Sequence, residues 1–84
     1  MTRDYSPPPP TPEQVQIYVA ATALCLVEIG QLPPNSAAVQ RAVAAGLDAL
    51  QVPRIHPSQV LPIWQAAIEI WSQDPAICPL LLNP

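Results

Sequence analysis

The sequence predicts an all-α protein: a small three-helix domain with a proline-rich N-terminal arm and a short apolar C-terminal strap, assembled as a dimer. Three observations predict it. Apolar residues recur at helical spacing in three segments. The prolines, 13 against two glycines, fall between those segments. No alternating strand pattern or hairpin turn competes. The 84 residues divide into an extended arm over 1–10 and a helical body over 11–84. A chain this short buries only about 60–65% of the surface its unfolded form exposes, which limits its core.

The arm is the run "SPPPPTP", stiff and of polyproline type. Pro7 to Pro10 satisfy a P-x-x-P pattern, which reads either as a ligand for an aromatic groove or as a solvated spacer. Thr11 is the expected N-cap of the first helix, with Pro12 at its first position and Gln14 completing a capping box. That helix is predicted over 12–29, with Gly30 just past its end. "QLPPN" breaks the chain, and Asn35 or Ser36 caps a second helix over 36–50. "QVPRIHP" is the next connection, and the third helix is predicted over 58–73, with Asp74–Pro75 closing it. Pro62 falls in or just past its first turn, where a missing N–H matters least. The tail "AICPLLLNP" has no clear period, and Leu80, Leu81 and Leu82 read as a docked apolar strap.

The faces of the helices carry the argument for assembly. Val39, Val43, Leu47 and Leu50 form one apolar side of the second helix, and Gly46 within it permits a close neighbour. On the third, Val60, Leu61, Trp64, Ala67, Ile68 and Trp71 form the expected core face, leaving Ile63 and Ile70 as a second, uncovered strip. The first helix, "VQIYVAATALCLVEIG", is apolar nearly all round. Two helices cover one of its sides, and a lipid bilayer is a poor cover for the other. Its uncharged run between Glu13 and Glu28 is 14 residues, whereas a span needs about 20. A second copy packing on Ile17, Ala20, Ala21, Leu24 and Val27 is therefore the expected dimer interface.

Composition excludes several chemistries. Half of the residues are hydrophobic and 11% are charged, with glutamine standing where lysine or glutamate is ordinary, a composition that favours association. The three cations, Arg3, Arg41 and Arg54, are scattered and there is no lysine, so nucleic acid and acidic membranes are poor partners. One histidine and two cysteines with no C-x-x-C or H-x-x-x-H spacing make zinc improbable, and two isolated glycines cannot build a nucleotide loop. No catalytic pair is proposed by spacing, so the chain is expected to be neither an enzyme nor a cofactor protein.

The remaining cluster is "RIHPS", in which Arg54 and His56 before a helix start suit an anion or an acidic side chain of a partner. The plainer alternative makes Arg54 a solvated loop residue and His56 a cap. Glu28, near the helix C-terminus and against its dipole, calls for a local compensating partner. "MTRDYSPPPP" lacks the apolar core of a signal peptide, so a cytoplasmic location with Cys25 and Cys78 reduced is expected. The functional expectation is a non-catalytic interaction module, an adaptor, assembly factor or small subunit. It acts as a homodimer and engages another protein through Arg54, His56, Ile63 and Ile70. The alternative is a carrier holding a small apolar molecule or pigment in a seam lined by Trp64, Trp71, Tyr18 and Cys25.

Overall fold

The computed structural model describes residues 9–73 and 77–82, with 80 and 81 described by backbone alone. Most of the arm and the Asp74–Pro75 stop signal lie outside the described residues. The fold is all-α, as predicted. Among the described residues it comprises α1 (Pro12–Glu28), α2 (Ser36–Ala49), a 3₁₀ turn (Pro57–Gln59), α3 (Val60–Gln73) and α4 (Ile77–Leu82).

The ends of these helices follow local chemistry. Thr11 Oγ1 accepts from the Gln14 N–H at 3.2 Å while Gln14 Oε1 accepts from the Thr11 N–H at 3.0 Å, closing the capping box. Asn35 Oδ1 accepts from the Ala38 N–H at 2.7 Å and starts α2 in the same manner. At the far end of α1 the chain turns through Gly30 at φ +79°, with the Gln31 N–H on the Leu26 carbonyl and the Gly30 N–H on that of Val27. The same pair of bonds ends α2, from Val52 to Leu47 and from Gln51 to Asp48. There the left-handed position belongs to Gln51, at φ +58°, where a side chain is strained.

The helix α1 is the centre of the molecule. Both α2 and α3 pack on it, and α4 touches it as well as α3, but no Cα of α2 comes within 8 Å of one in α3. Small side chains permit the close approach: Ala20, Ala21 and Ala23 of α1 share the core with Val43 and Leu47 of α2 and with Ile63 and Ala67 of α3. Gly46 is the corresponding device on α2, since a Cβ there would stand 3.1 Å from Val19 Cγ1.

Four expectations are corrected. First, the tail is a helix rather than a strap without period, and α4 is a fourth element covering α1. Second, Cys25 and Cys78 are joined in a disulfide with their Cα atoms 5.5 Å apart. The docking of α4 brings together two residues 53 apart in sequence, which no spacing motif encodes. The cytoplasmic expectation loses its support from reduced thiols, because disulfides persist chiefly in oxidising compartments. Third, α1 is enclosed from several sides by its own chain, so Ala20 and Ala21 are fully buried and beyond the reach of a second copy.

Fourth, α3 is turned from the expected phase, toward Ile63 and Ile70 and away from Leu61 and Ile68. Ile63 is 1% exposed and belongs to the core, and Ile70 is half-buried. Leu61 and Ile68, expected inside, are 67% and 48% exposed. Apolar residues at 60, 61, 63, 64, 67, 68, 70 and 71 make two overlapping stripes, and the alanine surface of α1 selects the one containing Ile63 and Ala67.

Candidate functional site

Both α2 and α3 pack on α1 with no Cα of one within 8 Å of the other, and an apolar groove runs between them. Its floor is Leu24 and Val27 of α1; one wall is Val39, Gln40, Val43 and Ala44 of α2, and the other is Val60 and Trp64 of α3. The groove has two open compartments, of about 430 and 260 Å³, which share Gln40, Val60 and Trp64. The larger lies toward Pro34–Ser36, and the smaller toward Arg54 and Ile55. From Ser36 to Leu47 the α2 wall is about 16 Å long at 1.5 Å per residue.

Among the described residues neither the Trp64 indole N–H nor the Gln40 side-chain amide donates a hydrogen bond, although both residues line the groove. A tryptophan and a primary amide on otherwise apolar walls suit an extended segment rich in carbonyl acceptors.

The connection that closes the Ile55 end is tied to α1 by Gln16, whose Nε2 donates to the Pro53 carbonyl at 2.8 Å. Gln16 is thus buried rather than one of the surface glutamines the composition suggested. The expected Arg54–His56 anion site is satisfied internally. Arg54 makes a two-pronged contact to Asp48, with Nη2 at 2.6 Å from Oδ2 and Nε at 3.2 Å from Oδ1. These hydrogen bonds, helped by the opposite charge, hold the Asp48 carboxyl below its ordinary range and raise Arg54 above its own. Asp48 sits in the last turn of α2, where a carboxylate opposes the helix dipole, and Arg54 offsets it. His56 caps the 3₁₀ turn: its Nδ1 accepts from the Ser58 N–H at 3.2 Å and lies 2.8 Å from Ser58 Oγ. Local pairing along the chain therefore uses both side chains.

The other predicted residues scatter. Leu24 and Val27 become groove floor, Ile17 packs on the edge of the core, and Ala20, Ala21 and Ile63 lie within it. Of the residues expected to line a carrier seam, only Trp64 lines the groove. Trp71 instead donates its indole N–H to Glu28 Oε2 at 3.1 Å, giving that carboxylate its compensating partner. Cys78 Sγ lies 3.6 Å from the same oxygen but, as a disulfide sulfur, has no proton to donate. Val39, Gln40 and Val60 were not among the expected site residues, since a groove between two helices leaves no mark on either helix alone.

Among the described residues no three histidine, cysteine or acidic side chains gather in a metal-binding arrangement, and no helix is long and apolar enough to cross a membrane. Comparison with family models, curated proteins and solved structures finds no match for the chain.

Proposed function

We propose that this protein is a small non-catalytic interaction module that acts as a homodimer and takes an extended, weakly charged segment into the groove between α2 and α3. One observation carries the reading: α2 and α3 both pack on α1, while no Cα of one comes within 8 Å of a Cα of the other. That separation leaves Leu24, Val39, Val60 and Trp64 half-exposed in a continuous channel. Apolar surface kept open in this way, in a chain with so few charges, is what a docking partner covers. The partner-binding role expected of Arg54 and His56 passes to the groove, because both are occupied by their neighbours. The carrier reading is weaker: the groove is open along its length rather than enclosing, and Tyr18, Trp71 and Cys25 do not line it.

The test places a photo-crosslinking side chain at Gln40, on the groove wall, or at Gln65, on the exposed side of α3. Irradiation in the source cells should give one discrete adduct from position 40 and none from position 65. Adducts from both positions, or from 65 alone, would remove the groove from the account.

A further inference from the structure

We infer that the Cys25–Cys78 disulfide is a thiol–disulfide exchange site: a dithiol attacks it at Cys78, and its opening releases α4 while α1, α2 and α3 stay packed. The inference does not depend on the groove.

Three observations make α4 the releasable element. It has six residues, against the roughly 12–15 at which a helix begins to hold itself in water. Among the described residues none of its side chains joins the hydrophobic core, whose members come from α1, α2, α3 and the connections between them. Nor does any backbone-to-backbone hydrogen bond run from α4 to the rest of the chain among those residues. The helix touches α1 and α3, and its anchor is the covalent bond from Cys78, its second residue, to Cys25.

The body does not share this dependence. Ala20, Ala21, Val43, Leu47, Ile63 and Ala67 fill the seams that α1 makes with α2 and α3. Trp71 ties the end of α3 to α1 through Glu28, at 3.1 Å, without help from the disulfide. Opening the bond therefore frees the tail and leaves the three-helix packing in place.

The two sulfurs are unequal. Cys25 is fully buried, whereas Cys78 is half-buried. A thiolate must approach the sulfur it attacks along the S–S axis, so the reductant reaches Cys78. Its sulfur bonds to Cys78 Sγ as the Cys25–Cys78 bond breaks, and the electron pair leaves on Cys25 Sγ, which takes up a proton. The reductant's second thiol then loses its proton and attacks the first reductant sulfur. The reductant departs as a cyclic disulfide, oxidised by two electrons, and Cys78 is left as a thiol. A monothiol stops at the mixed disulfide, where Cys25, tethered to the same chain, attacks Cys78 again and expels it. The site therefore takes a dithiol.

The test uses the full-length ¹⁵N-labelled chain, oxidised and then reduced with dithiothreitol near room temperature. On reduction the amide resonances of 77–82 should move to the positions of an unstructured peptide. The Trp71 indole resonance should shift, because Glu28 Oε2, its acceptor, lies 3.6 Å from Cys78 Sγ. Those of Val43, Leu47, Ile63 and the Trp64 indole should stay where they are. Brief exposure to 2-mercaptoethanol, acid quenching and peptide mass spectrometry should find the mixed disulfide on Cys78 at least tenfold more often than on Cys25. A reduced chain whose core resonances collapse would make the bond a structural staple and overturn the inference. So would an α4 that keeps its resonances after reduction, an adduct chiefly on Cys25, or full opening by 2-mercaptoethanol at the same thiol concentration.

Discussion

Reducing the Cys25–Cys78 bond should destabilise the protein by an amount that the structure bounds. The bond closes a loop with a sequence separation of 53, and the chain-entropy relation puts the unfolded-state constraint at about 4 kcal/mol for a loop of that size. This is an upper value. The helix α4 has six residues, too few to hold their conformation alone, so once the bond is cut α4 detaches and the reduced chain recovers some freedom. Between about 2 and 4 kcal/mol is therefore expected, a fall in Tm of roughly 10–20 °C for a domain of this length. Thermal and urea unfolding followed by circular dichroism, with and without a phosphine reductant, reads it directly. Reduction serves better than Cys25→Ala because Cys25 is fully buried and truncating it adds a cavity cost of its own. Identical unfolding curves in the two conditions would refute the reasoning, as would two titratable thiols in protein never exposed to reductant.

Three further outcomes follow from single contacts. Gln16→Leu should cost about 1–3 kcal/mol in urea unfolding, because the Pro53 carbonyl loses the Gln16 donor; an unchanged midpoint would mean that the connection is not held there. Gln51→Gly should stabilise by up to about 1 kcal/mol by relieving the left-handed backbone at the end of α2, and a loss of stability would contradict that geometry. Arg54's hydrogen bonds depress the Asp48 pKa in the folded state, so their contribution is complete above the ordinary aspartate range and is lost as pH falls below about 4. A carbon-13 titration should find the Asp48 midpoint below the ordinary value and see it rise in Arg54→Gln; equal midpoints would show the ion pair to be absent in solution.

What the sequence made legible was local. Thr11 with Gln14, Asn35, and Gly30 each act through atoms within a few residues, so their caps and turn are visible in the chain itself. Pro62 was read correctly for the same reason: it lies near the start of α3, where no intrahelical bond is lost. The remainder depends on which surfaces meet. The phase of α3 is ambiguous because Leu61 and Ile68 are as apolar as Ile63 and Ile70, and only the alanine surface of α1 separates them. Gln16 looks like any surface glutamine until the Pro53 carbonyl arrives from 37 residues away. Counting greasy sides on α1 overestimated what remained uncovered, because a tail with no apparent period forms α4 and is bonded onto Cys25. The groove had no signal of its own: Val39 and Trp64 were each expected to face a core, and they do, while part of each also lines the groove.

Whether α2 and α3 stand apart can be measured by filling the space between them. Ala44 is half-buried on the groove wall, so in Ala44→Leu the added carbons enter the smaller compartment against Ile55 and Trp64. The account predicts a chain as stable as wild type or more so, by up to about 1 kcal/mol in urea unfolding, from the apolar area newly covered. A loss of about 1–3 kcal/mol, the usual result of overfilling a packed seam, would mean that the two helices meet and that there is no groove to bind anything.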